Sequence, residues 1–125
     1  MKIANDVRYS KSHEWVKELE EGKVQVGITD YAQGQLGNIV FVNLPFVDDE
    51  VTAGETFTDV ESVKAVSDLY SPVTGVISAT NEALEDAPEG INEDAFAAWI
   101  IEVSGVSEYA ALMSPAEYEA YCATL

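Results

Sequence analysis

Apolar and polar residues alternate most cleanly at residues 23–29, where Val24, Val26 and Ile28 interleave with Lys23, Gln25 and Gly27. A period of two marks a half-buried strand. Residues 13–19 read as a second strand, and Glu20, Glu21 and Gly22 supply the turn between the two, so this part predicts a hairpin. Residues 30–37 predict one helical turn capped by Asp30, and residues 38–44 (NIVFVNL) an apolar strand stopped by Pro45. Asp48, Asp49 and Glu50 read as a solvated loop. A calcium loop would need alternating ligands and a fixed glycine, which this run lacks.

Beyond Gly54, residues 55–61 (ETFTDVE) and 66–71 (VSDLYS) predict two strands joined by a short connection at 62–65 (SVKA). Pro72 and Gly75 punctuate the exit, and residues 75–80 (GVISAT) and 98–104 (AWIIEVS) predict further strands. Asn81 is placed to cap a helical turn reaching Asp86, Pro88 and Gly90 mark a loop, and residues 107–113 suit a short helix. The strongest helix start comes last, where Ser114, Pro115 and Glu117 combine an N-cap, a proline at the first helical position and a capping box. No repeat or linker interrupts the chain. The expectation is one mainly β domain over residues 1–125, with many short strands and small helices at its rim and C-terminus.

Composition narrows the function. At 125 residues, 47% hydrophobic, the chain has apolar surface enough for a core, so its acidity is not the signature of disorder. Asp and Glu number 23 against 6 Lys and Arg, a net charge of −17. That excludes phosphate-backbone binding and docking on an anionic leaflet, and favours partners with basic faces. A single Cys forms no internal disulfide, and clusters for structural zinc are missing. Residues 1–10 (MKIANDVRYS) resemble neither a signal nor a transit peptide, and no run approaches the roughly 18 apolar residues of a membrane helix. The expected location is the cytoplasm, unless a presequence has been removed before residue 1.

From Val24 to Leu125 there are 18 acidic residues and one basic one, Lys64, in the middle of the predicted hairpin tip. An exposed lysine near Glu61 and Asp68 is an ordinary, weakly paired surface group. Yet Val63, Ala65 and Val66 surround it with apolar side chains where a turn should be polar, unless another molecule reads them. A lysine on a hairpin tip presents its amine on a four-carbon stem, accessible to a modifying enzyme. Acylation there removes a charge and adds a mobile arm.

The run from Glu61 to Gly75, ESVKAVSDLYSPVTG, resembles the lipoyl-attachment segment of the glycine cleavage H-protein family. YSKSHEW at 9–15, VGITDYAQGQLGNIVFVNLP at 26–45, NEALEDAP at 81–88 and AEYEAY at 116–121 extend the likeness over nearly the whole chain. Biotinyl domains share the hairpin but typically carry Met-Lys-Met, unlike Val63, Lys64, Ala65. One stretch departs: residues 92–99 read NEDAFAAW, one residue shorter than the family pattern and without its Pro and Gly, outside the attachment segment.

The resemblance implies a lipoyl/biotinyl-like barrel-sandwich hybrid with short flanking helices and a C-terminal helix, working as a non-catalytic, monomeric carrier. Lys64 would hold lipoate in amide linkage, with Glu61, Ser62, Val63 and Ala65 read by the attaching enzyme, a lipoate ligase or a lipoyl or octanoyl transferase. The arm would take an aminomethyl group from glycine decarboxylase (P protein) to the aminomethyltransferase (T protein), and be reoxidised by dihydrolipoyl dehydrogenase (L protein). Ser12, Glu14 and Asp68 match the family's arm-docking cleft, where a carboxylate beside the ammonium of the load keeps its nitrogen protonated; Glu14 is the expected main partner, though it reads equally as an ordinary strand carboxylate. Three alternatives stand beside this reading: an H-like protein relaying lipoate to other enzymes, an unmodified interaction module of the same fold, and a small hydrolase using His13 and Cys122. The last lacks a supporting constellation; His13 reads as structural or exposed, Cys122 as a packing thiol in the last helix, and Trp15 and Trp99 as core.

Overall fold

In the computed structural model, which describes residues 1–125, the first hairpin is flanked on one side by a two-residue strand. Strands β1 (Arg8–Tyr9), β2 (Glu14–Glu20) and β3 (Lys23–Ile28) run antiparallel, with Trp15 opposite Gly27 and Val16 opposite Val26. The glycine is required at that place: a Cβ on residue 27 would sit 2.6 Å from the Trp15 indole. Helix α1 (Asp30–Leu36) follows, then β4 (Ile39–Val42), β5 (Glu50–Val51), β6 (Thr56–Ser62), β7 (Val66–Tyr70) and β8 (Val73–Thr80). Short helices α2 (Ala83–Asp86) and α3 (Gly90–Glu93) lead to β9 (Ile101–Tyr109) and the terminal helix α4 (Pro115–Cys122). No helix is long and apolar enough to cross a membrane.

All pairings are antiparallel, in a six-stranded sheet ordered β1-β2-β3-β9-β8-β5 and a three-stranded sheet ordered β4-β6-β7. Their facing sides make the main core. Val24, Val26, Ile77, Ile101 and Val103 come from the larger sheet, Ile39, Val42, Val60 and Leu69 from the smaller. Burying each such side chain contributes about 1.5–3 kcal/mol. A second cluster, Val7, Tyr9, Trp15, Tyr118 and Cys122, docks α4 on the start of the larger sheet. There Tyr9 and Tyr118 stack with ring centroids 4.2 Å apart, and the Trp15 indole N–H donates to the Ala95 carbonyl at 3.0 Å. Cys122 is a packing thiol, as expected, and Trp99 is half-buried just before β9 instead of on a strand.

Several expected boundaries shift. Thr29, not Asp30, caps α1, its hydroxyl accepting from the Ala32 N–H at 3.1 Å, because the chain is still extended there (ψ 164°). Asn81 does not cap α2 with its side chain, which donates to the Trp99 carbonyl at 2.8 Å. Residues 107–113 are not helical: β9 runs on to Tyr109, opposite Val73, and Met113 bridges Tyr9. The Ala, Leu and Met content there favours helix, but two waiting strand partners override it. The Asp48–Glu50 loop is partly strand, since Glu50 pairs with Val76. The capping box at Ser114 and Glu117 is present in both directions.

Candidate functional site

The β6–β7 hairpin closes at residues 62–65, and the Ser62 hydroxyl organises it. That buried oxygen accepts from the Lys64 N–H at 3.3 Å and the Ala65 N–H at 3.1 Å. The Ser62 N–H donates to the Ala65 carbonyl at 2.8 Å, and the Val63 N–H to the Asn38 carbonyl at 3.0 Å. A serine side chain that takes two turn amides replaces the bonds a wider loop would leave to water. Lys64 sits at the tip, exposed, and belongs to neither ion pair of the chain, Lys17–Asp6 or Lys23–Glu102. Its Cε lies 3.7 Å from where a Cβ on Gly37 would be, so the stem rests over the end of α1.

Around the tip the surface is apolar. Val63 is 67% and Val66 64% exposed. Glu61 points outward on β6 between Phe41 of β4 and Val66 of β7, forming a cross-strand row, and Ala65 is also exposed. Asp68 lies further along β7, exposed and directly opposite Asp59. Two carboxylates in that register repel each other, and a cation between them relieves the repulsion.

Glu14 stands at the far end of β7. It is 1% exposed, and its carboxylate accepts from the Ser10 hydroxyl at 2.8 Å, from the Ser12 hydroxyl, and from the Tyr70 N–H at 3.2 Å. Burial pushes its carboxyl above the usual range, and the hydroxyl and amide donors pull part of the way back. Ser12 lines two clefts at once. One, of about 360 Å³, holds Glu14, Tyr70 and Pro72; the other, of about 160 Å³, lies between α1 and β7 and holds His13, Tyr31 and Asp68. The structure thus brings Ser12 beside both expected carboxylates, while separating Glu14 from Asp68 into adjoining hollows.

His13, at φ 73°, is a structural link, as one of its two expected readings had it. The Tyr118 hydroxyl lies between the Thr29 hydroxyl and His13 Nδ1, 2.8 Å from each, and the Thr29 oxygen also accepts from the Ala32 N–H. Burial lowers the His13 pKa and raises that of Tyr118, disfavouring the charged form of each. The relay ties α1, a wall of the smaller cleft, to α4.

Sequence reasoning missed Ser10, Thr29 and Asn92 as parts of this region. Ser10, Ser12 and Glu14 are spaced by two, which is a signal, but the link from Asn92 to residues 33–39 crosses more than fifty positions and leaves none.

The glycine cleavage H-protein family model matches residues 7–125. A glycine cleavage system H protein of Lachnoclostridium phytofermentans is 52% identical over 121 residues, covering 97% of this chain and 95% of that one. Another, from Aliivibrio fischeri strain MJ11, is 56% identical over 119 residues, covering 93% and 94%. The crystal structure of a glycine cleavage system H protein from Mycobacterium marinum superposes with a TM-score of 0.91 at 38% identity, covering 97% of this chain and 99% of that one. With its two facing sheets, short helices and lysine-tipped hairpin, this chain belongs to the glycine cleavage H-protein family, the non-catalytic lipoyl-bearing carriers of the glycine cleavage system.

Proposed function

We propose that Lys64 is the residue that carries lipoate, through an amide between its Nζ and the lipoyl carboxyl. The observation that carries the reading is a lysine held on a serine-closed hairpin tip, exposed and free of any ion pair. Bound there, lipoate supplies a dithiolane that receives and returns an aminomethyl group and is reoxidised. Glu61, Ser62, Val63 and Ala65 give the attaching enzyme, a lipoate ligase or lipoyl transferase, its recognition surface: one outward carboxylate, two exposed apolar contacts and a rigid turn. The decarboxylase, aminomethyltransferase and dihydrolipoyl dehydrogenase then read the same tip in turn, and monomeric, freely diffusing copies suit that itinerary. The relatives are bacterial and the fold has no membrane-crossing helix, which supports work in the cytoplasm.

Ser12, Glu14 and Asp68 serve the loaded arm. Asp68 is four residues from Lys64, at most about 13 Å along an extended strand, and Tyr70, whose N–H holds Glu14, is six residues away, about 20 Å. A lipoyl-lysine arm spans on the order of 14 Å. An arm laid along β7 therefore meets Asp68 within its span, in the acidic pair with Asp59, and ends about 6 Å short of Tyr70, so Glu14 acts by shaping the hollow beyond the load. An ammonium group beside Asp68 is held protonated, which withholds the lone pair that would expel the thiolate.

Intact mass after incubation with lipoate, ATP and a lipoate ligase tests the assignment. A lipoyl-sized increment on wild type and none on Lys64→Arg is expected, followed by support of glycine carboxyl exchange with bicarbonate by the decarboxylase. An increment that persists in Lys64→Arg overturns it.

A further inference from the structure

Asn92, on α3, makes three hydrogen bonds to a segment more than fifty residues earlier. Its side-chain oxygen accepts from the Ile39 N–H at 2.8 Å, and its amide donates to the Gly37 carbonyl and to Gln33 Oε1, each at 2.9 Å. These bonds fix the peptide planes on either side of Asn38. The Asn38 carbonyl, in turn, takes the Val63 N–H at 3.0 Å, immediately before Lys64, and Gly37 lies under the lysine stem. The β4–β6 ladder is irregular between Ile39 and Phe41 and resumes with Ile39 opposite Ser62, at the edge of the tip. Beyond its own strands β6 and β7, the tip meets the rest of the fold at Asn38 and Ile39, and the peptides on both sides of Asn38 are held by Asn92.

Resting on the reading of Lys64 as the acylated residue, we infer that Asn92 is a positioning residue for lipoate attachment, aligning the hairpin tip through the Gly37–Asn38–Ile39 segment. It touches neither Lys64 nor the lipoyl donor. Its effect is on the fraction of molecules whose tip is ready to be read. An attaching enzyme that binds the ordered tip has an apparent affinity reduced by that fraction, so loss of Asn92 raises KM for the carrier and leaves kcat at saturation in place.

The test measures ligase kinetics with lipoate and ATP, amide exchange at Val63 by NMR, and melting temperature. Asn92→Ala is expected to raise KM at least fivefold with kcat unchanged, and to bring Val63 exchange close to the unprotected rate without changing that of Val24 or Val103. Asn81→Ala serves as the control, since it also removes a side-chain bond to backbone, to Trp99, but has no path to the tip. It should lower the melting temperature and leave KM alone. Should Asn92→Ala not fold, Asn92→Asp, which keeps the acceptor for Ile39 and loses both donations, decides by the same readouts. An unchanged KM beside an acylated wild type overturns the positioning role alone, whatever the melting temperature does. An equal rise in KM for Asn81→Ala also overturns it. A wild type that takes no lipoyl group overturns the carrier reading and this role together.

Discussion

The two ends of the Lys64–Tyr70 segment treat an ionisable group in opposite ways. At one end Lys64 stands in water on a tip closed by Ser62, with apolar neighbours and no counter-charge. At the other, beside Tyr70, Glu14 is sealed from solvent and engaged by two hydroxyls and an amide. A group that must be handed to other proteins is left without internal partners, so releasing it from the fold costs nothing. A group that shapes a cleft is surrounded by partners, so displacing it costs a great deal. The contrast separates the proposed site of attachment from the proposed site of docking by satisfaction alone.

The largest effect that could break the contrast is on chemistry, not stability. Lys64→Arg should abolish acylation completely while leaving the urea midpoint unchanged; a loss of stability above about 1 kcal/mol would mean the lysine is a structural partner after all. Next comes Glu14→Ala, which takes the carboxylate partner from the buried Ser10 hydroxyl and from the more open Ser12 hydroxyl and Tyr70 N–H, and should cost about 1–3 kcal/mol by urea unfolding. Glu14→Gln, which keeps an acceptor and a donor, should cost under about 1 kcal/mol.

Melting temperature against pH sharpens the picture. The folded state holds the Glu14 proton more tightly than the unfolded chain, so its stability contribution is complete below the ordinary value of 4.5 and declines as pH rises through the raised folded value. His13 runs the other way: its folded pKa is lowered, so stability declines as pH falls below the ordinary 6.5. Glu14→Gln should remove the first slope. His13→Asn, which tolerates the left-handed backbone, should remove the second. The smallest effect is expected from Ser62→Ala, about 1 kcal/mol in stability, with slower acylation because two tip amides lose their acceptor.

The sequence was most readable where local chemistry decides. The alternation at 23–29, the capping box at Ser114 and Glu117, and the ESVKA tip are short-range patterns, and each took the expected form. The proposed attachment residue stood out because a lone cation in an acidic field is visible without a fold. What stayed hidden depends on distant partners. Residues 107–109 extend a strand because Val73 and Thr74 wait opposite them, and Asn92 matters because α3 packs on the end of α1. The same holds for the split between Ser12 with Glu14 and Ser12 with Asp68: spacing placed them near one another, but only the fold sets a carboxylate in each of two hollows.

The six-stranded sheet ends on β1 and β5, each two residues long. A free margin that short offers a neighbouring molecule too few amides and carbonyls to zip against. The Tyr70 N–H at the margin of the smaller sheet is already taken by Glu14. Crowded copies therefore find little free backbone along the margins of the larger sheet for ribbon-like self-association.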